Sequence, residues 1–500
     1  MRVKRLAELL SAAGLPGDGA FDAEVTGVEY DSRRCVPGSL FVAVRGFHVD
    51  GHDFIPDAVA RGAVAVVCEH STDATGSTPV FTVADSRAAL SALAAAFYDR
   101  PSDALTVAGI TGTDGKTTTA TMLWAAWRAA GIAAGSMTTV DWRSKDSVEL
   151  NKSRQTTLEA PELHERLAAL RDDGCSHVAL ETSSHALELR RVDDVAYRAA
   201  VFTRITSEHT DLHGSREAYL AAKTRLLHMV SARSDGIAVL DATDDFAFPS
   251  LSRIPVAKRL TYSVDPARAA DVIAEHVRAS TRGVDVSART PWGAVELSLH
   301  LAGRFNAANA LAALTAACAT GASIDAAVRG LEGLERVSGR MERVDLGQPY
   351  TVVIDYAHTA DSLSHVLREL RDTTAGRLWV VFGSAGERDV EKRSAMGAVA
   401  AELADVSVIT DEDPRLEDRL RILEEIAAGA TDAGGRRGEN VVVVPDRTEA
   451  IDFAIGHAVS GDTVLLAGKG HESTLIVGSE SIPWDERAVA EAAIRSHLGR

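Results

Sequence analysis

The stretch AGITGTDGKTTTA, residues 108–120, follows an apolar β-like run and opens a helical one. Gly112 and Gly115 allow a tight turn whose backbone N–H groups point inward, and the helix N-terminus adds partial positive charge. Lys116 supplies a full positive charge, and Thr117 is placed to offer a hydroxyl to Mg²⁺. The strict phosphate-loop pattern has glycine six residues before the lysine, and this chain has Ile110 at that position. We therefore predict a variant phosphate loop that binds a nucleoside triphosphate, rather than a glycine-rich turn that binds nothing.

The sequence around this loop alternates strand-like and helical runs, which predicts a doubly wound, mostly parallel sheet of the α/β class. A second α/β block follows, with five apolar, β-branched runs that are typical of buried parallel strands. Short β-like and helical runs also fill the first hundred residues. We predict three domains, covering residues 1–103, 104–338 and 339–500. The segment 264–300 shows alternating β-like pieces that this scheme does not place.

Composition and charge exclude several classes of protein. The net charge of −18 argues against a general binder of nucleic acid or of anionic membranes, although a small anionic substrate needs only a local basic site. The four cysteines are widely scattered and form no Cys-x-x-Cys pair, so neither a zinc knuckle nor a disulfide framework is predicted. We see no signal peptide and no apolar run long enough to span a membrane. We expect a cytoplasmic monomer that acts on small molecules, without nucleic-acid partners or membrane insertion.

Polar groups after two apolar runs indicate a metal site. Glu181 ends the run HVALE and should lie at the carboxyl end of a strand, where an oxygen ligand suits Mg²⁺. His209 and His213 have the i, i+4 spacing of a zinc pair, but the intervening aspartate and the following glycine argue against a helix, so we do not predict zinc. Ser215 is a predicted helix N-cap. Lys223 follows in that helix, and composition alone predicts an exposed lysine.

Three loops of the last block follow apolar runs, and they cover residues 383–388, 411–415 and 468–472. In an open parallel sheet, ligands collect outside the carboxyl ends of the strands. The loops should therefore bring Arg388, Arg415 and Glu472 to one rim. Two arginines and a glutamate complement the carboxylate and ammonium groups of an amino acid. We predict a substrate pocket there, with a solvated charged turn as the alternative.

Several motifs stand together in one order: TGTDGKTTT, QTTLEAPEL, ETSSHAL, SEHTDLHGSREAYLAAK, GRFNAANALAA, GRMERVD, DYAHTADSL, GERDVEKR and AGKGHE. With the DSRRCVPGSLFVAVRG stretch near the N-terminus, they make nearly the whole chain resemble the Mur ligases, ATP-dependent amide ligases of peptidoglycan synthesis. The resemblance is strongest to the branch that adds a diamino acid to UDP-N-acetylmuramoyl-L-alanyl-D-glutamate through an acyl-phosphate intermediate. It implies a small N-terminal UDP-binding domain, a central P-loop-type ATPase domain and a C-terminal Rossmann-like domain.

The resemblance also implies residue roles. Lys116 would hold the ATP phosphates, with Thr117, Glu181, His209 and a carbamylated Lys223 on Mg²⁺. Lys116, Glu181, His209 and Lys223 would carry the catalysis, and the carbamate would turn a cation into a metal-binding anion. The further ATP contacts would come from Gly112, Thr113, Gly115, Thr118, Asn306, Arg340 and Asp355. The substrate contacts would come from Ser32, Thr156, Thr157, Ser183, Arg191, Arg388, Asp413, Arg415, Gly468 and Glu472.

The chain departs from the family pattern at a few positions. Leu189 replaces a glutamine that commonly helps to hold the muramoyl peptide. In the motif that selects diaminopimelate, which is Asp-Asn-Pro-Arg in the family, Asp413 replaces the asparagine. Its carboxylate would repel a second substrate carboxylate, pair with Arg415, or attract the terminal ammonium of lysine or ornithine. The two arginines at 388 and 415 favour meso-diaminopimelate.

Two other functions remain as alternatives. The first is another Mur-fold ligase, such as the one that adds D-alanyl-D-alanine or a folylpolyglutamate synthase. The second is a catalytically silent paralogue that binds the UDP-muramoyl peptide. A P-loop kinase is disfavoured because it would leave the two other domains unexplained.

Overall fold

The computed structural model describes residues 2–15, 23–47, 49–70, 76–153, 155–206, 210–387 and 389–499. The fold consists of two compact units. The first comprises residues 1–263, 267–272 and 311–330, and the second comprises residues 264–266, 273–310 and 331–500.

The first unit opens with a small parallel sheet of four strands, in the order β3-β4-β5-β6. Its two inner strands are fully buried and consist mainly of apolar residues, as is usual for strands inside a parallel sheet. The elements of this part are β1 (Lys4–Arg5), α1 (Leu6–Ala12), β2 (Glu24–Val25), β3 (Gly27–Glu29), β4 (Ser39–Val42), α2 (Ile55–Ala60), β5 (Ala65–Cys68), β6 (Val80–Thr82) and α3 (Ser86–Phe97).

A larger sheet forms the rest of the first unit, in the order β10-β9-β8-β11-β7-β12-β13-β14. Its strands are parallel from β8 to β14, whereas β9 and β10 are antiparallel additions at one edge. The elements are β7 (Thr106–Thr111), α4 (Lys116–Ala129), β8 (Ala134–Met137), β9 (Asp141–Arg143), β10 (Val148–Leu150), α5 (Ala160–Asp172), β11 (His177–Glu181), α6 (Ser184–Glu188), β12 (Tyr197–Phe202), α7 (Thr210–His213), α8 (Arg216–Ser231), β13 (Ile237–Asp241), α9 (Phe248–Leu251) and β14 (Lys258–Ser263).

The second unit contains an antiparallel meander and a parallel sheet. The meander comprises β15 (Val272–Ser280), β16 (Gly283–Thr290) and β17 (Gly293–Leu299), and it accounts for the segment that the sequence did not place. Helices α10 (Phe305–Ala319) and α11 (Ile324–Glu332) follow in the chain, and their residues from 311 to 330 belong to the first unit.

The parallel sheet of the second unit has the order β18-β19-β23-β20-β21-β22, in which only β18 is antiparallel to its neighbour. Its elements are β18 (Glu342–Val344), β19 (Thr351–Asp355), α12 (Ala360–Thr373), β20 (Leu378–Phe382), α13 (Glu391–Leu403), β21 (Val406–Ile409), α14 (Arg419–Asp432), β22 (Val441–Val443), α15 (Arg447–His457), β23 (Thr463–Ala467), the hairpin β24 (Thr474–Val477) and β25 (Glu480–Pro483), and α16 (Glu486–Leu498).

The predicted α/β class and both parallel sheets are confirmed, including the five parallel strands of the last block. One local prediction was wrong: Thr210–His213 forms a short helix rather than an irregular turn. The glycine that argued against a helix, Gly214, has φ +72° and follows the last helical residue, where glycine ends helices readily. Within the described residues, no helix is both long and apolar enough to cross a bilayer.

Candidate active site

The phosphate loop lies between β7 and α4, next to the carboxyl end of β11. The chain needs glycine at position 112, because a Cβ there would lie 1.8 Å from Thr203 Oγ1. Gly115 precedes α4 with φ +83°, a conformation that glycine adopts without strain. Lys116 Nζ donates to the carbonyl oxygens of Gly112 at 3.1 Å and Thr113 at 2.7 Å. The loop thus gathers a helix N-terminus and an ammonium group at one point, as an anion site requires.

Thr117 in the first turn of α4 meets Glu181 at the end of β11. The Thr117 hydroxyl lies 3.1 and 3.0 Å from the two carboxylate oxygens of Glu181, and Thr139 N donates to Glu181 Oε2 at 2.8 Å. Both side chains are buried. A hydroxyl beside a carboxylate is a suitable oxygen donor set for Mg²⁺, which takes one or two protein ligands and completes its shell with phosphate and water. No cluster of three or more His, Cys, Asp or Glu side chains suitable for a metal occurs in the described part of the chain.

Lys223 is buried, with 1% of its surface exposed, so the expectation of a solvent-exposed lysine from composition was wrong. Ser215 caps α8 as predicted, since its hydroxyl accepts from Ala218 N at 3.1 Å. The helix directs Lys223 Nζ to the phosphate loop, where it donates to Gly112 O at 2.7 Å. Its ammonium also lies 4.3 Å from the centre of the Tyr219 ring. A lysine therefore sits beside the predicted nucleotide loop, sheltered from water.

The predicted muramoyl-peptide residues gather beside Glu181. The Thr157 hydroxyl donates to Glu181 O at 2.8 Å and accepts from Ser183 N at 3.0 Å. Arg191 Nη1 donates to Thr157 O at 3.1 Å, and its Nε lies 2.8 Å from Glu159 Oε1. Burial raises the pKa of the Glu159 carboxyl, with the Arg191 cation opposing that rise.

Two further predicted substrate residues make fewer contacts. Thr156, next to Thr157 in the chain, is half-buried. Ser32 is buried in the turn Ser32–Arg34, far along the chain from the phosphate loop. The Ser32 hydroxyl lowers the pKa of Asp57 by hydrogen bonding to that carboxylate, and Arg61 does so as well.

In the second unit, Asp355 closes β19 and fixes the neighbouring turn. Its carboxylate accepts from Met341 N and Ala357 N at 2.8 and 2.9 Å, so it holds the segment that carries Arg340. The Arg340 guanidinium lies 4.9 Å from the centre of the Tyr356 ring. Asn306 is buried at the start of α10 and donates to Ala302 O at 2.6 Å. Asp355 thus fixes the backbone next to Arg340 through Met341 N, while Asn306 belongs to a separate segment of the second unit.

The three loops predicted to form an amino-acid pocket follow β20, β21 and β23, and they do meet. Gly386 N donates to Asp413 O at 2.8 Å, and a Cβ at Gly386 would lie 2.0 Å from Pro414 O. Arg415 adopts φ +55° and its backbone is held by the hairpin, through Arg415 N to Ile476 O at 3.1 Å. Gly468, with φ +101°, donates its N–H to Asp355 O at 3.2 Å.

Asp413 has a partner that the sequence analysis did not consider. Its Oδ1 accepts from Lys469 Nζ at 2.9 Å and from Ile476 N at 2.9 Å. Lys469 Nζ also lies 2.6 Å from Glu472 Oε2. The sequence indicates three interactions for the Asp413 carboxylate: with Arg415, with a substrate ammonium and with a substrate carboxylate. It does not indicate Lys469, which is the partner in the structure.

Sequence reasoning also missed Glu412. This residue is 7% exposed, and its Oε2 is buried without a hydrogen-bond partner among the described residues. A Cβ at Gly468 would lie 3.1 Å from that oxygen, so Glu412 faces the backbone of the third loop. Arg415 Nε is likewise buried and has no acceptor within the described ranges. One loop thus presents a carboxylate oxygen and a guanidinium nitrogen, both desolvated and unsatisfied, which is a costly arrangement unless a ligand completes it.

Two predicted site residues, His209 and Arg388, lie outside the residues that the structure describes.

Three family models match consecutive stretches of the chain. The Mur ligase family catalytic domain matches residues 24–98, the Mur ligase middle domain residues 110–317, and the Mur ligase glutamate ligase domain residues 339–470. Together they cover most of the sequence.

Similar proteins span nearly the full length of the chain. A UDP-N-acetylmuramyl-tripeptide synthetase of a Roseiflexus species is 47% identical, with 94% of each chain covered. A UDP-N-acetylmuramoyl-L-alanyl-D-glutamate–2,6-diaminopimelate ligase of Geobacillus kaustophilus is 41% identical, covering 94% of this chain and 95% of the other. A solved structure of a ligase of the same description is 28% identical, has a TM-score of 0.68, and covers 99% of this chain and 100% of its own. With the family models, these similarities establish that the chain belongs to the Mur ligase family of ATP-dependent ligases.

Proposed function

We propose that this Mur ligase joins a diamino acid, meso-diaminopimelate, to UDP-N-acetylmuramoyl-L-alanyl-D-glutamate in peptidoglycan synthesis. ATP would activate the terminal carboxylate of the substrate as an acyl phosphate, and the amine of the diamino acid would then attack the acyl carbon and displace phosphate. The names of similar proteins support this acceptor and do not favour the two alternatives, a ligase for a different amino acid or a silent paralogue.

The observation that carries the choice of acceptor is the pair of unsatisfied charged atoms in the loop 411–415. Glu412 Oε2 and Arg415 Nε are buried and have no partner among the described residues. An amino acid supplies an ammonium for the first and a carboxylate for the second. Because arginine forms two parallel hydrogen bonds with a carboxylate, Arg415 favours an acceptor with a carboxylate on its side chain.

The residues of the first unit would handle the phosphoryl transfer. We assign Lys116 and the N–H groups at the start of α4 to the ATP phosphates, where they stabilise negative charge as it develops. Thr117 and Glu181 would hold Mg²⁺, which supplies charge neutralisation and orientation at the transferred phosphoryl group. Thr157, Ser183 and Arg191 would hold the muramoyl peptide with its terminal carboxylate facing the phosphate loop.

Lys223 would act as a carbamate. As an ammonium it cannot bind a metal ion, whereas its carbamate supplies two anionic oxygens. Its burial beside Gly112 supports this role, because shelter from water lets a CO₂ adduct persist next to the phosphate loop, where the carbamate would supply the proposed metal site with oxygen ligands. We assign Asn306, Arg340 and Asp355 to the remaining ATP contacts.

We further propose the domain boundaries near residues 103 and 338, with Ser32 in a UDP-binding N-terminal domain. We also propose that the protein acts on its small-molecule substrates as a monomer in the cytoplasm.

The test is product mass after incubation of the protein with ATP, Mg²⁺ and UDP-N-acetylmuramoyl-L-alanyl-D-glutamate. Meso-diaminopimelate, L-lysine and L-ornithine are supplied separately. We expect the tripeptide product with diaminopimelate at the highest kcat/KM. Glu412→Gln should raise the KM for diaminopimelate about tenfold, because a buried charged hydrogen bond is lost, while Glu424→Gln on the exposed face of α14 should not. Absence of any tripeptide product, with ATP still bound, would overturn the proposal in favour of the silent paralogue.

A further inference from the structure

Lys469 belongs to the third loop of the amino-acid pocket, and it is fully buried. Its Nζ lies 2.9 Å from Asp413 Oδ1 and 2.6 Å from Glu472 Oε2. The side chains of the two acids differ in exposure, since that of Asp413 is 7% exposed and that of Glu472 is 29% exposed. Solvent can therefore stabilise the negative charge of Glu472, whereas the negative charge of Asp413 is stabilised mainly by the Lys469 cation. A buried carboxylate without such a partner is strongly disfavoured.

Backbone hydrogen bonds also hold the side chain of Asp413 in this position. Ile476 N donates to the same Oδ1 at 2.9 Å that accepts from Lys469. The backbone of Asp413 is fixed as well, because its carbonyl accepts from Gly386 N at 2.8 Å. The side chain of Asp413 thus points to the lysine and the hairpin strand β24, and its negative charge is neutralised there.

The same contacts hold Arg415. Its N–H donates to Ile476 O at 3.1 Å, and its carbonyl accepts from Gly478 N at 2.8 Å. Arg415 has φ +55°, a left-handed conformation that a non-glycine residue keeps only when its surroundings enforce it. Since Ile476 is bonded to both Asp413 and Arg415, the ion pair of Asp413 with Lys469 helps to fix the loop that presents the Arg415 guanidinium.

We propose that Lys469 is a positioning residue that determines acceptor specificity: it neutralises Asp413, so that this aspartate does not attract an ammonium and Arg415 binds the carboxylate at the far end of the acceptor. The selected substrate is then a diamino acid with a carboxylate beside the ammonium at that end, rather than one that carries an ammonium alone there. This inference rests on the proposed function, and it explains how an acid can stand in a loop that binds a dicarboxylic acceptor.

The test compares kcat/KM for meso-diaminopimelate and for L-lysine, in the wild type and in Lys469→Met. Removing the cation leaves Asp413 unneutralised. We expect the preference for diaminopimelate to fall by at least about tenfold, through a higher KM for that acceptor, while the KM for ATP stays the same. Lys469→Met/Asp413→Asn removes both charges, and the preference should return to within about threefold of wild type. Lys258→Met, an exposed lysine in the first unit, serves as the control.

Asp413→Asn alone gives a second, milder variant. If the lysine already neutralises Asp413, this change alters the acceptor preference less than about threefold, whatever it does to the rate. A shift of about tenfold towards diaminopimelate in Asp413→Asn would mean that the aspartate reads the substrate, and it would overturn the inference.

Two other results would also overturn it. One is an equal loss of kcat/KM for both acceptors in Lys469→Met, which indicates a merely structural lysine. The other is a wild-type enzyme that prefers lysine. A wild type that joins no diamino acid at all would instead refute the proposed function, so the two failures are distinguishable.

Discussion

Thr117 Oγ1 lies within 3.1 Å of both carboxylate oxygens of Glu181, although the two residues are 64 positions apart in the chain. The contact arises because β7 and β11 are neighbouring parallel strands, with Ile110 paired to Glu181. The phosphate loop that follows β7 and the last residue of β11 therefore reach the same edge of the sheet. This adjacency brings a hydroxyl and a carboxylate together beside the phosphate loop, and the proposed Mg²⁺ site rests on that arrangement.

Glu181→Gln tests that placement. The amide keeps the shape and can still accept from Thr139 N, but it removes the negative charge that a cation needs. We expect kcat to fall on the order of 10²–10³-fold, together with a higher Mg²⁺ concentration for half-maximal rate. The measurement is the rate of ADP formation across a Mg²⁺ titration. Glu188→Gln, an exposed position on the adjacent helix, is the matched control. A variant with an unchanged Mg²⁺ requirement would exclude Glu181 as a ligand.

Lys223→Met tests the carbamate. Methionine keeps much of the volume of the buried side chain but cannot react with CO₂, so ligation should fall by about 10²-fold or more. Depletion of dissolved CO₂ should lower the wild-type rate, and added bicarbonate should restore it, whereas the variant should respond to neither. Wild-type activity in Lys223→Met would refute the assignment, and an unfolded variant would be recognised by its circular dichroism spectrum.

The sequence predicted the positions of those residues that follow directly after a recognisable strand. The glycines and lysine of the phosphate loop follow an apolar strand, and the position of Glu181 follows from the run HVALE. The three loops of the second unit could be placed at one edge for the same reason, since parallel strands present their carboxyl ends together.

What could not be predicted depends on long-range contacts. Lys223 lies near an apolar helical stripe, where a lysine ordinarily extends to solvent, and its burial depends on the Gly112 carbonyl 111 positions away. Asp413 and Lys469 are 56 positions apart, and the sequence around each residue does not show that they form an ion pair. The unsatisfied oxygen of Glu412 is visible only once the third loop covers it.

His164 predicts how stability depends on pH. It is fully buried in α5, neither ring nitrogen has a hydrogen-bond partner in the described part of the chain, and burial lowers its pKa from 6.5 to about 3, with Arg100 adding to the effect. Between these two values the unfolded chain binds a proton that the folded chain does not. The free energy of unfolding is therefore not reduced by His164 well above pH 6.5. It decreases as the pH falls below 6.5, by up to about 1.4 kcal/mol per pH unit.

His164→Leu removes this proton-linked loss. Urea unfolding at pH 7.5 and 5.5 should show that the wild type loses about 1.4 kcal/mol more than the variant over that interval. The variant should also be the more stable protein at pH 5.5, because leucine has no ring nitrogens to desolvate. Equal losses in the two proteins would mean that His164 finds a partner or keeps an ordinary pKa.

Arg447 and Glu486 form a buried ion pair next to the loops of the proposed amino-acid pocket. Arg447 Nη2 lies 2.5 Å from Glu486 Oε1, and both side chains are almost completely excluded from solvent. The guanidinium also donates to Asp411 O at 3.1 Å and to Ala467 O at 2.8 Å, which are the residues that precede Glu412 and Gly468. One side chain thus ties the ends of β21 and β23 to helix α16.

Glu486→Gln removes the carboxylate that is paired with the buried Arg447 cation, so we expect the free energy of unfolding of the second unit to fall by about 3–5 kcal/mol. Arg436→Ala breaks the exposed pair with Glu439 and should cost at most about 1 kcal/mol. Urea unfolding of both variants gives the comparison. Because Arg447 holds the backbone of the pocket loops, Glu486→Gln should also raise the KM for the diamino acid while leaving that for the UDP-muramoyl dipeptide unchanged. Equal midpoints for the two variants would show that the carbonyl contacts alone satisfy the guanidinium.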